Sequence, residues 1–378
     1  MKIYRHMSGV LCFVLLWFLL SYPVRGEVYV YDGGVDTELD SAWTQFLDTL
    51  PAELQKEAET LSLQDQESWQ EFLTPSYWLD KLEALLLEKA IPVLNSFTGL
   101  LGMLLVLAGT RQWNGMGTGT VFAFCSDVCM ALAIFHTTKT VFTWLQTFVE
   151  QLCRIMTGLL PVMTAISYSA GEVTTATVDR MALSLFITVL NTLQRWLFFP
   201  LGQAIFGISI LSTVCTQVSL GSFAGSIKKL FMTLYTFMLV IYSFIYGIQN
   251  TLSRSADSLG LRTVRFAMGS FIPIVGSTLA EAFSAVREGL NYIRITAGLS
   301  GILVLLLFVL PMVVSVWLYD AMLQCSHTAA ECLGCTASAR MLADTRSILQ
   351  LLSALSWMAA TFFVFALILF TKTAVFAG

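Results

Sequence analysis

Long apolar runs separated by short polar breaks occupy most of the chain. Runs at 91–110, 118–136, 155–170, 181–199, 201–220, 230–249, 297–319 and 348–371 match or approach the length a helix needs to cross hydrocarbon, roughly 17 to 25 residues. Those at 91–110, 230–249, 297–319 and 348–371 are the clearest, whereas 118–136 and 155–170 contain glycine or polar residues. The two runs meeting at Pro200 read either as a tight hairpin or as one long bent element. The pattern predicts an all-α, polytopic membrane protein with about seven spans.

The N-terminal part has a different rhythm. Lys2 and Arg5, the apolar stretch Val10 to Leu20, and the small residues Val24 and Gly26 read as a signal peptide over 1–26. An uncleaved anchor is the alternative, since Arg25 is unusual beside a cleavage site. Residues 27–89 then form an exported acidic helical region. Trp43, Phe46, Leu47 and Leu50 fall on one helical stripe with Ser41 as its cap, and Pro51 starts a second helix carrying Leu54 and Ala58. Thr74-Pro75 opens a third helix, because proline is tolerated at the first helical position. The multi-span domain, 90–378, follows.

Within it, 250–296 breaks the pattern. Arg254, Arg262, Arg265, Arg287 and Arg294 surround the short apolar core Phe271-Ile-Pro-Ile-Val-Gly276. Pro273 removes a backbone donor and Gly276 loosens the chain, so a re-entrant loop or broken helix is expected around them. An amphipathic helix follows, apolar at Leu279, Phe283, Val286 and Leu290, polar at Glu281, Arg287, Asn291 and Arg294. It reads either as a helix at the membrane interface with arginines near phosphates, or as the lining of a passage or assembly face. Phe271, Pro273, Gly276, Glu281, Arg265 and Arg287 are the structural or assembly candidates.

Composition supports a membrane solvent: 56% of the 378 residues are hydrophobic and 12% charged, about half the charge of a soluble domain. Charge is also uneven. Between Glu27 and Glu88 stand 15 acidic and 2 basic residues, leaving 10 acidic and 19 basic for the rest. With the acidic head exported, Arg111 and Lys228-Lys229 fall in the cytoplasm, as basic loop residues tend to. The arginine-containing 250–296 then falls outside, against the same tendency. An acidic head disfavours nucleic-acid binding. Small residues Gly99, Gly102, Gly109 and the Gly115–Gly119 run point to close helix approach.

Candidate chemistry is sparse. No phosphate loop or His-Glu-x-x-His helix occurs, so no catalytic residues and no cofactor are assigned and the chain does not read as an enzyme. Asp127 lies inside the second apolar run and is an intramembrane polar candidate. Cys325, His327, Cys332 and Cys335 have the donor types of a zinc site, but they sit in an expected cytoplasmic loop, 320–347, without a hairpin to preset them. Reduced thiols are the ordinary reading and no metal is assigned.

The run Arg265-Phe-Ala-Met-Gly-Ser-Phe-Ile-Pro-Ile-Val-Gly276 with Ser277-Thr-Leu-Ala-Glu-Ala-Phe283 resembles the signature region of the stage III sporulation protein AE family. Leu159-Leu160-Pro161, Phe199-Pro200-Leu201 and Lys228-Lys229 agree in order and spacing. The resemblance implies a structural membrane subunit of a secretion-like channel complex between mother cell and forespore, needed for late forespore development. It also implies residence in the mother-cell membrane around the forespore, with other sporulation membrane proteins, the lipid bilayer and further copies of the chain as partners. A self-sufficient small-molecule transporter, with substrate held where broken helices meet, is the alternative reading. Replacing Pro273 or Gly276 with leucine is expected to block sporulation at normal protein level. Wild-type spore counts in those strains would remove any special role for the element.

Overall fold

The computed structural model describes residues 36–59, 74–112, 119–170, 172–214, 221–248 and 276–375. Its helices are α1 (Asp36–Asp48), α2 (Ala52–Glu59), α3 (Pro75–Gln112), α4 (Gly119–Ser169) and α5 (Val173–Leu193). A π-turn (Gln194–Phe198) leads to α6 (Phe199–Val214), followed by α7 (Gly221–Ile248), α8 (Gly276–Cys332) and α9 (Thr336–Val375). Among the described residues, six helical elements are long and apolar enough to cross a membrane.

The apolar runs merge into these six. Runs 118–136 and 155–170 are two halves of α4, whose 51 residues reach about 76 Å. The runs on either side of Pro200 form one bent element rather than a hairpin. Pro200 has no N–H to bond the carbonyl one turn back, and the wider π-turn just before it absorbs that defect.

α8 and α9 are the centre of the molecule. They form an antiparallel hairpin and make its most extensive helix–helix contact; α3, α4 and α6 pack around them. The apolar windows of α8 and α9 are 67% and 72% buried, against 22% for α3 and 17% for α7. The oiliest helices are therefore enclosed by protein, and the peripheral ones present the free apolar surface. The expected loop 320–347 is a correction: only Leu333 to Cys335 leave the helical path. Gly334 takes φ 71°, Cys335 N–H donates to Ala330 O at 2.8 Å and Gly334 N–H to Glu331 O at 3.0 Å. That left-handed glycine stop ends α8 abruptly and lets α9 start at once.

The acidic head is part of the same core. Phe46 is fully buried, Trp43, Leu50 and Ala58 nearly so, with α1 against α4 and α2 against α8. α1 begins before Ser41, which is an interior residue and not a cap. α3 starts at Pro75 and passes 89–90 without a break.

Within the described residues close approach occurs at other glycines than Gly99, Gly102 and Gly109; Gly115 and Gly117 lie outside them. A Cβ at Gly99, Gly102 or Gly109 would meet nothing within 4 Å. At Gly301 it would lie 3.0 Å from Leu159 and 3.3 Å from Leu367, and at Gly298 it would collide with Thr371. Gly301→Leu and Gly298→Leu should each destabilise the detergent-solubilised protein by about 1–3 kcal/mol. Gly102→Leu should stay within about 0.5 kcal/mol. Thermal unfolding of the three variants checks this; equal behaviour would show that the α4–α8–α9 contact is not tight.

Candidate functional site

Two charged clusters tie the helices together, one near each end of the long uncharged part of α8. The first is built on Arg294, whose side chain has no solvent exposure. Its Nη1 donates to Glu172 Oε2 at 2.6 Å and its Nη2 to Ser167 Oγ at 3.4 Å. The ring of Phe370 lies 4.7 Å from the guanidinium carbon, a cation–π contact. Glu172 stands in the turn between α4 and α5, and its carboxylate turns to Arg294 instead of capping α5. One arginine thus joins α4, α5, α8 and α9. Its Nε, buried without a partner among the described residues, marks incomplete satisfaction. Beside it a small cleft is lined by residues including Thr164, Ser167, Asp179, Arg180 and Phe370.

The second cluster joins four helices, α6, α7, α8 and α9. Asp320 of α8 accepts from Arg346 of α9 through both carboxylate oxygens, Nε–H at 2.8 Å and Nη2–H at 2.7 Å, and from Gln350 at 2.9 Å. Two residues before Arg346, Asp344 accepts from Lys228 of α7 at 2.8 Å and from Ser209 of α6 at 2.7 Å. Two acids and two bases thus form a neutral belt, each carboxylate with two or more donors. Their side chains remain 24–40% exposed.

Contacts between helices fix the height of this belt. Phe206, one turn from Ser209, stacks on Phe135 of α4 at 5.9 Å. In the antiparallel α3–α4 pair, Thr110 Oγ1 and Ser126 Oγ lie 3.4 Å apart. Counting up from that contact, Phe135 is level with Leu101, near the centre of the uncharged stretch Ala90–Thr110. That stretch is about 32 Å long, one hydrocarbon thickness. Where α3 crosses a bilayer through this stretch, the belt sits at mid-depth.

The same counting relocates Asp127. It follows Ser126 in α4 and stands level with the end of α3. Of the assembly candidates, Arg265, Phe271 and Pro273 lie outside the described residues. Gly276 is the first residue of α8, and Glu281 and Arg287 follow on its helical backbone. The amphipathic helix expected there is continuous with the span after it. The cysteine–histidine set does not converge. His327 Nδ1 lies 2.9 Å from Ala339 O and Nε2 3.5 Å from Glu331, while Cys335 is buried and Cys325 and Cys332 are exposed. Among the described residues no three His, Cys, Asp or Glu side chains are placed to hold a metal.

The model of the stage III sporulation protein AE family matches residues 86–373. The chain belongs to that family. Both clusters lie inside the matched region, whereas α1 and α2 precede it. The chain is similar to the stage III sporulation protein AE of Bacillus subtilis (strain 168), 22% identical over 158 residues. That alignment covers 42% of this chain and 40% of the relative, so it spans less than half of either. No solved structure matches.

Sequence reading singled out neither Asp320, Asp344, Arg346 nor the Arg294–Glu172 pair. The signal was present in charges standing at both ends of the long uncharged stretches of α8 and α9. Arg294→Met should destabilise the folded protein by about 3–5 kcal/mol by leaving Glu172 buried and unpaired. The double variant Arg294→Met/Glu172→Leu should recover most of that loss. Unfolding in detergent measures both, and a double variant no better than the single one would show that packing, not charge, is at stake.

Proposed function

We propose that the protein is a structural membrane subunit of a sporulation-specific, secretion-like channel complex between mother cell and forespore, needed for late forespore development. Membership of the stage III sporulation protein AE family carries this reading. It is supported by six helical elements of membrane-crossing length and by the use of the interior charges, which pair across helices. That use suits a scaffold rather than a catalyst. In this reading the body lies in the mother-cell membrane around the forespore, the acidic head faces the exported side, and other membrane proteins of the complex contact the peripheral helices. The free apolar faces of α3 and α7 are available to lipid or to those subunits.

Deleting the gene is expected to arrest sporulation after engulfment, with restoration by the full chain supplied in the mother cell. An affinity-tagged chain from sporulating cells should carry other sporulation membrane proteins with it. Normal spore formation in the deletion strain would overturn the sporulation role. A tagged chain that purifies alone and moves solute across vesicles would overturn the subunit role in favour of a transporter.

A further inference from the structure

Below the charged belt, two helical surfaces expose different chemistry. On one side stand Val121, Phe124, Leu132 and Phe135 of α4 with Leu105 and Val106 of α3, all large, apolar and exposed. On the other, the α8–α9 hairpin exposes Gln324, Cys325, Thr328 and Glu331 on one helical stripe and Thr336 and Arg340 on the next. Below Trp317 no large apolar side chain of the hairpin is exposed. Asp344 and Lys228 open at the upper end of this surface, with side chains 40% and 25% exposed. Lipid tails suit the first side. They suit the second poorly: Thr328 bonds Gln324 O and Glu331 meets His327, but the Gln324 amide and the Arg340 guanidinium would be exposed to hydrocarbon.

We propose that the exposed stripe of the α8–α9 hairpin, from Ala321 to Arg340, lines a water-filled passage within the membrane that admits water and small hydrophilic ions. This deepens the channel-subunit reading and rests on α3 crossing the bilayer through Ala90–Thr110. Mixed charge fits the role. The stripe carries Glu331 and Arg340 besides the neutral belt, so it favours neither strongly cationic nor strongly anionic solutes. The belt closes the upper end with paired groups whose remaining exposure is available to water.

The chain carries its own probes. Cys325 lies on the polar stripe and Cys129 on the apolar face of α4, both exposed. Each is roughly 8 Å below the belt by helix rise. Full-length variants keeping only Cys325 or only Cys129, both supporting spore formation, are treated in intact membranes with a small charged methanethiosulfonate. Cys325 is expected to react at least about ten times faster than Cys129, since thiol reaction needs water access. After detergent denaturation the two should react alike. Equal, slow labelling would overturn the passage by showing a dry stripe. Equal, fast labelling would overturn the membrane placement itself while leaving the sporulation role, read from spore counts, untouched.

Discussion

Helix length set against bilayer thickness constrains everything else in this molecule. α8 has 57 residues, about 85 Å, and α9 has 40, about 60 Å. A hydrocarbon layer is about 30 Å thick. Helices this long must leave the membrane, and where they leave it they need another way to stay dry. They meet that need by enclosure. From Ile293 to Val316, α8 exposes no described side chain, because α3, α4 and α9 cover it. Phe148 of α4 stacks on Phe308 inside this sheath at 4.9 Å, and Phe186 of α5 stacks on Phe362 of α9 at 3.5 Å. Hydropathy alone would place lipid around α8 and α9; burial places protein there.

Enclosure also explains where the charges are. The uncharged stretches of α8, Ile295–Tyr319, and of α9, Ser347–Thr371, end at Arg294, Asp320, Arg346 and Lys372. The uncharged stretch of α3 is centred lower, level with the belt. No single slab about 30 Å thick can therefore exclude the charges of all helices at once. One set must be internal and paired. The belt residues meet that demand, since each of their carboxylates accepts from a base on another helix. Higher up, α3 carries Asp80, Glu83 and Glu88 exposed beside the head, which suits water and not lipid.

The fold class was legible because helical periodicity and span length act locally, along one segment at a time. Pro75 opening α3 and the bent element at Pro200 are also local, and proline chemistry foretold the first and left the second as one of two choices. The hairpin tip was legible at one residue. Gly334 after a helical run is a stop signal, and it stands where α8 ends. The belt was not legible, because Asp320 and Arg346 meet only when two helices align antiparallel. Arg294 shows the same limit. Its position on a polar helical face pointed to phosphates, and only the placement of Glu172 and Phe370 turned it inward.

The exposed surface of α4 gives an independent reading of where the membrane lies. Below His136 it shows Val121, Phe124, Leu132 and Phe135 to the outside. Above it, the exposed positions are Lys139, Thr140, Thr143, Thr147, Arg154 and Thr157. Threonine hydroxyls there bond carbonyls one turn back, as Thr140 to His136 and Thr143 to Lys139 do, so their own demand is largely met. Among the described residues Lys139 and Arg154 show no such bond, and they need water or an acidic neighbour. The change of face falls at the height of the belt, halfway up the uncharged stretch of α3. A bilayer spanning that whole stretch would thus hold the upper face of α4 against something wetter than lipid. The exposed polar stripe on the α8–α9 hairpin makes the same demand under that placement.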